Sequence, residues 1–252
     1  MDFKQWHEDG NNIFNRETKL YFAQCDINED MNLSELLMLT SDSGVEDYDQ
    51  RGLTYRVLRD RSMAILVSRI AFKIHKMPKR GDFIRIKTWE DKPEGIQLIR
   101  NYQLFDGDGG LLISGKSSWM IVNPETRRIQ KPSVLLDLRP EQNPGIPVDA
   151  PSCGKIVHPQ NLELLEERKI RYSEVDANGH VNNSKYGNFI KDSLPGDLQK
   201  REILSFRLNY AHEVGLNDIL GIYGGWNTEK GCYTLIGKKG SDVCFESELY
   251  FK

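Results

Sequence analysis

"RYSEVDANGHVNNSKYGNF", Arg171 to Phe189, decides how this 252-residue chain folds, because an earlier stretch echoes it. The earlier copy is "YFAQCDINEDMNLSELLML", Tyr21 to Leu39. Asp26, Asn28 and Asn32 lie 150 residues before Asp176, Asn178 and Asn182, and each polar turn runs into a helix-like segment. A second match follows in the same order: "RGDFIRIKTW", ending at Trp89, resembles "LNDILGIYGGW", ending at Trp226. Two matches in one order read as a duplicated unit, with extra residues in the first copy between the helix and the next strand.

Each copy has one grammar. A short strand ("LYFAQ"; "RKIRYSEV") leads into the polar turn, and an amphipathic helix follows. In the second copy Val181, Tyr186, Phe189, Ile190 and Leu194 fit one apolar face, and "LPG" from Leu194 stops the helix. Long strand patterns come next. In the first copy they are "MAILVSRIAFKIHK", "DFIRIKTWE", "IQLIRNYQLFD" and "LLISGKSSWMIVN", with "DGDGG" as a hairpin turn. In the second they are "ILSFRLNYAHE", "DILGIYGGW", "CYTLIGKK" and "VCFESELYF", with "KKGSD" as the turn. A long helix against an antiparallel sheet is an α+β layer. Two in tandem predict a pseudo-dimer within one chain. "LRPEQNPGIPVDAPSCGK", residues 138–155, holds four of the 10 prolines and reads as the linker between them.

The segment "VDANGHVNN" is poor core material. Asp176, Asn178 and His180 alternate, so in extended backbone they project to one side, and the helix start beyond them offers unpaired N–H groups and a positive dipole end. The set suits a reaction that develops an oxyanion: a carboxylate as base or nucleophile, an amide to fix a water, an imidazole to move a proton. It also suits a solvated loop in which Asn182 or Asn183 caps the helix. A metal site has less support, since no second His/Cys cluster shows ligand spacing. In the first copy Asp30 stands where the second has His180, so on the catalytic reading the histidine would mark the copy that does chemistry.

Composition narrows the class. With 34 basic and 37 acidic residues the net charge is −3, which gives no general drive toward nucleic acid or a membrane surface. No apolar run approaches the ~20 residues that span a bilayer. Cys25, Cys153, Cys232 and Cys244 form no CxxC pair and read as packing thiols. Free thiols and the charged start "MDFKQWHEDG", which carries no export signal, predict a cytoplasmic location.

"DANGHVNNSKYGNFIKDSL" resembles the D-x-N-x-H-V-N-N-x-x-Y signature of acyl-acyl carrier protein (acyl-ACP) thioesterases, tandem hotdog-fold enzymes of plant plastids and bacteria. The resemblance covers most of the chain. "VSRIAFKIHKMPKRGDFIRIKTW" looks like the family's first-domain strand pair, "SSWMIVNPETRRIQKPS" like the close of that domain, and "LNYAHEVGLNDIL" like the strand and turn that carry its catalytic glutamate. The His-Val-Asn-Asn core is shared with other hotdog thioesterases, and its combination with a full N-terminal copy is far more specific. The resemblance implies a first hotdog over residues 1–137 on the acyl-chain side and a catalytic second hotdog over residues 156–252.

Carried over by position, the family's catalytic residues fall on Asp176, Asn178, His180 and Glu213. Plant members often have a cysteine after that glutamate; here it is Val214, so a carboxylate must attack or activate the water that does. The backbone N–H groups of Val181 and Asn182 would form the oxyanion hole. The implied reaction frees a medium- or long-chain fatty acid from acyl-ACP and needs no cofactor. The acyl chain would lie mainly in the first hotdog, where "LSELLML" and "MAILV" serve equally as ordinary core. An acidic carrier predicts a basic docking patch: Lys76, Lys79 and Arg80 in "HKMPKR", and Arg127 and Arg128 in "TRRIQK". His75 reads as structural and His212 as a turn or surface histidine. An acyl-CoA thioesterase, a non-catalytic acyl-binding hotdog protein and a hotdog dehydratase are the rival readings, and a homodimer stays open.

Overall fold

The computed structural model describes residues 4–135, 137–138 and 145–252. One 12-stranded antiparallel sheet runs through both copies. The first copy supplies β1 (Gln5–His7), β2 (Phe14–Lys19), β3 (Ala64–Ile74), β4 (Phe83–Glu94), β5 (Gln97–Phe105), β6 (Leu111–Val122) and the short β7 (Ile129–Gln130). The second supplies β8 (Glu163–Lys169), β9 (Ile203–Tyr210), β10 (Ile219–Asn227), β11 (Cys232–Lys239) and β12 (Asp242–Phe251). The strand order is β1-β2-β4-β5-β6-β3-β9-β12-β11-β10-β8, with β7 against β6. From the β3–β9 seam outward the halves repeat: β6 matches β12, β5 matches β11, β4 matches β10 and β2 matches β8. The seam pairs Arg69 with Asn209 through Lys73 with Ser205, and Phe72 and Phe206 stack across it with ring centroids 6.5 Å apart.

The helices lie on one face. α1 (Leu33–Gln50) buries Leu33, Leu36, Leu37, Thr40, Gly44 and Asp47, a stripe at three- and four-residue spacing. α3 (Lys185–Ser193) buries Tyr186, Gly187, Phe189 and Ile190, and Leu194-Pro195 ends it. It has half the length of its first-copy counterpart. Two short α-helices, α2 (Tyr55–Asp60) and α4 (Gly196–Gln199), complete the set among the described residues. The larger of two hydrophobic clusters takes residues from both copies, including Leu36, Phe72, Phe189, Phe206 and Phe245, and a smaller one around Leu53, Leu98 and Ile121 belongs to the first copy. Under the C-terminal half of α1 the larger cluster gives way to charge. Asp47 accepts contacts from Arg100 at 2.8 Å, Arg51 at 2.7 Å and His7 at 2.9 Å, and Arg100 lies over the Tyr48 ring. Pairing is what makes such burial tolerable.

Some expectations need correction. "LYFAQ" is not a strand: Phe22–Gln24 form a 3-10 turn, and "RKIRYSEV" leaves the sheet at Lys169 for a matching turn at Tyr172–Glu174. Side chains close both, since the Tyr21 N–H donates to Gln24 Oε1 at 2.7 Å and the Arg171 N–H to Glu174 Oε2 at 2.7 Å. β1, β2 and α2 lie outside the sequence patterns above, although Thr54 caps α2 through its hydroxyl. Of the proposed linker, Pro140 and Pro144 lie outside the described residues. Its later part crosses the sheet face away from α1: Arg69 donates to Cys153 O at 3.2 Å, Asn209 to Gly154 O at 3.2 Å, and Lys73 pairs with Asp149 at 2.6 Å. Among the described residues no helix is long and apolar enough to cross a membrane.

The two helices meet where α3 carries Gly187. A Cβ there would stand 2.4 Å from the Ser34 backbone nitrogen, so the crossing requires glycine. Gly187→Ala is expected to destabilise the protein by about 1–3 kcal/mol, the usual cost of overpacking, measured by denaturant unfolding. Unchanged stability would mean that the helices do not meet this closely.

Candidate active site

The turn after Val175 is built by its own side chain. Asp176 Oδ1 accepts the Asn178 N–H at 2.8 Å, the Asp176 N–H donates to His180 O at 2.9 Å, and the Gly179 N–H donates to Asp176 O at 3.0 Å. Gly179 sits at φ +83°, the left-handed region that favours glycine. The first copy repeats each bond: Asn28 to Asp26 Oδ1 at 2.8 Å, Asp26 to Asp30 O at 2.8 Å, and Glu29 to Asp26 O at 3.0 Å, with Glu29 at φ +63°. The shared Asp and Asn positions therefore belong first to turn geometry. Asp176 is half-buried, and among the described residues no donor is bonded to its second carboxylate oxygen.

A bridge then brings in the loop after β9. The Val181 N–H donates to Val214 O at 2.8 Å, His180 pairs with Gly215, and the Gly215 N–H donates to Asp218 Oδ2 at 2.8 Å. This register sets Glu213 beside His180, with Nε2 and Oε2 3.3 Å apart. In the first copy Met31 bonds Pro78 and Asp30 pairs with Lys79 in the same pattern. Counting two residues back from each bridge, Met77 stands where the second copy has Glu213. The first copy thus lacks both members of the pair. Lys79 closes its turn by an ion pair to Asp30 at 2.7 Å, and Met77 packs on the core.

Of the four carried-over residues, His180 and Glu213 meet through their side chains, while Asp176 and Asn178 stay within the turn that precedes α3. Asn178 is exposed, and the Asp176 carboxylate is bonded by its own turn. Tyr186 lies behind the pair. Burial, then the neighbouring Cys244 and Glu213, holds its hydroxyl well above the ordinary phenol range. The Tyr210 hydroxyl donates to Asn183 O at 3.0 Å and fixes the helix entrance. No thiol competes for the chemistry. Val214 is fully buried, and burial pushes Cys153 up to about 11 and raises Cys25, Cys232 and Cys244. His212 bonds Val243 O at 2.7 Å, and His75 lies 4.0 Å from Asp149.

Two expectations fail. The N–H groups of Val181 and Asn182 are already spent, on Val214 O at 2.8 Å and Glu174 O at 2.9 Å, because they hold the turn to its neighbours. Asn182 instead accepts the Ser184 N–H on its side chain at 3.0 Å, and among the described residues the next N–H, that of Asn183, finds no acceptor. The five basic docking candidates also do not form one patch. β3 separates them: Val122 pairs with Ala64 at one end and Ile74 with Ile113 at the other, roughly 30 Å apart at about 3.3 Å per residue. Lys76 and Lys79 line a cleft of about 500 Å³ at the first-copy turn, and Arg80 pairs with Glu29 at 2.6 Å. Arg127 and Arg128 sit at the second-copy turn, where Arg127 Nη1 meets Glu213 Oε2 at 3.2 Å. No sequence signal links residues 86 apart.

The acyl-ACP thioesterase N-terminal domain model matches residues 11–137, and the C-terminal domain model matches residues 158–243. A chloroplastic acyl-[acyl-carrier-protein] hydrolase of Cuphea viscosissima is 27% identical over 171 residues, 64% of this chain and 40% of that protein. A chloroplastic oleoyl-acyl carrier protein thioesterase of Arabidopsis thaliana is 27% identical over 182 residues, 66% of this chain and 49% of that protein. The chain thus spans less than half the length of these relatives. An acyl-ACP thioesterase structure from Bacteroides thetaiotaomicron superposes with a TM-score of 0.84 at 22% identity, covering 97% of this chain and all of that one. A 12:0-ACP thioesterase from Umbellularia californica gives 0.81 at 16% identity, covering 96% of this chain and 94% of that one. The fold is the tandem hotdog.

Since Asp26 and Asp176 make the same turn bond, Asp26→Ala and Asp176→Ala are each expected to lower stability by about 0.5–2 kcal/mol, as for loss of a capping carboxylate. Thermal unfolding of both variants checks this. A loss confined to one of them would break the equivalence of the turns.

Proposed function

Because the chain belongs to the acyl-ACP thioesterase family, we propose that it hydrolyses the thioester of a medium- or long-chain acyl-ACP to the free fatty acid and holo-ACP. The observation that carries this reading is the His180–Glu213 pair, present in one of two otherwise congruent turns. A binding scaffold has no need of a histidine–carboxylate pair on one side only. The free thiols fit a reducing compartment such as the cytoplasm.

In this reading water is the nucleophile. The open oxygen of Asp176 takes a proton from a water that Asn178 helps to hold, and that water adds to the thioester carbonyl carbon. The carbonyl oxygen becomes an oxyanion, and the Asn183 N–H at the helix entrance is the donor free to meet it. Collapse breaks the carbon–sulfur bond. His180, oriented by Glu213, gives its proton to the leaving pantetheine thiolate, and the proton on Asp176 returns to the imidazole. Carrier docking falls to the end of the sheet that holds Arg128, since Lys76, Lys79 and Arg80 stand at the far end.

Free-acid release from a panel of acyl-ACPs, with matched acyl-CoAs alongside, tests this. Hydrolysis favouring the carrier substrates is expected, falling by about 10²–10⁴ in Asp176→Ala and in Glu213→Gln, the range of lost acid–base catalysis. Preference for acyl-CoA would reassign the carrier, and acyl binding without hydrolysis would make this a binding protein. A single turnover in heavy-oxygen water is expected to label the product acid alone. Label in Asp176 would show direct attack instead.

A further inference from the structure

Glu213 is held from two sides. His180 Nε2 lies 3.3 Å from its Oε2, and Arg127 Nη1 lies 3.2 Å from the same oxygen. Arg127 belongs to the other copy, in the hairpin between β6 and β7. We propose that Arg127 is a positioning residue: the copy without chemistry lends a guanidinium that fixes Glu213, and through it His180. The proposal rests on the thioesterase reading above.

Three observations converge on it. The first is register. Asn209 of β9 pairs with Arg69 of β3, and Arg69 pairs with Ser118 of β6. Two antiparallel steps leave β9 and β6 parallel and level, so the loops that follow them emerge at one edge of the sheet. The second is a rigid mount. Asn123 Oδ1 accepts the N–H groups of Glu125 at 3.0 Å and Thr126 at 2.8 Å. Asn123 O accepts the Arg127 N–H at 2.8 Å, and the Asn123 N–H donates to Arg128 O at 2.9 Å. The third is backbone strain. Arg127 sits at φ +56°, where glycine or asparagine would be at ease and a long side chain is not. A hairpin chosen for stability alone would place glycine here. The contact to Glu213 accounts for an arginine. An exposed carboxylate on a loop samples many rotamers, and a second partner on a different element narrows them.

The rival role for Arg127 is contact with the carrier. The two separate by kinetics. Wild type, Arg127→Asn, Arg127→Gly and Arg127→Lys would be assayed on one acyl chain carried by ACP and by CoA, with thermal unfolding of each protein. Asn and Gly suit the backbone and remove the charge, so the melting temperature is expected to hold or rise. Positioning predicts that both lower kcat roughly two- to fivefold on both substrates, the scale of an exposed ion pair, with KM unchanged. Arg127→Lys is expected to recover most of the loss. Unchanged kcat in Arg127→Asn overturns the proposal. So does a rise in KM confined to acyl-ACP, which would mean docking, or a loss of activity that tracks a fall in melting temperature. If wild type hydrolyses neither substrate, the thioesterase reading fails and takes this one with it. In the other outcomes that reading stands and only Arg127 is reassigned.

Discussion

The antiparallel pairing of β3 with β9 is the constraint on which the rest of the molecule depends. Each copy alone would end in an open strand edge, and such an edge invites pairing with whatever strand is near. Here each copy covers the other's edge. The stack of Phe72 on Phe206 and the shared core beneath it make the register apolar as well as hydrogen-bonded. A slip of one residue would turn Phe72, Ile70 and Leu208 away from the helices and send Arg69 and Arg207 inward. The pairing therefore admits one register. That register brings the β6–β7 hairpin and the loop after β9 to one edge, where the second polar turn meets them.

The duplication separates geometry from chemistry within one chain. Both turns use an aspartate to close on their own backbone, and both are pinned by a bridge to the loop after the seam strand. What differs is what the pinned positions carry. One copy has Asp30, Lys79 and Met77, an internal ion pair over core packing. The other has His180, Gly215 and Glu213, a titratable pair open to solvent. The exchange leaves the backbone almost untouched, so a catalytic pair and a silent ion pair are alternative occupants of one scaffold.

Much of this was legible in the sequence. The period-2 strands, the helix starts and the 150-residue echo follow from local patterns, and so did the α+β tandem. The histidine stood out because the first copy lacks it. Less was legible where long-range pairing decides. "LYFAQ" has strand composition, yet Gln24 folds back on the Tyr21 N–H and curls it into a turn. The N–H groups of Val181 and Asn182 looked free because a helix start leaves donors unpaired, and only the three-dimensional bridge to Val214 and Glu174 shows them taken. The basic runs near Lys76 and Arg127 were alike in charge, and nothing in either said that β3 holds them at opposite ends. The exchange of Glu213 for Met77 needed the bridge register to align the loops.

The central claim is that hydrolysis depends on the residues the second turn has and the first lacks. His180→Asp tests it most directly, because it gives the second turn the residue that the first carries at Asp30. The measurement is the rate of free-acid release from acyl-ACP, alongside far-ultraviolet circular dichroism to confirm the fold. A folded protein with hydrolysis reduced by about 10² or more is the predicted result. A folded protein that hydrolyses acyl-ACP at the wild-type rate would contradict the claim and move the chemistry away from this turn.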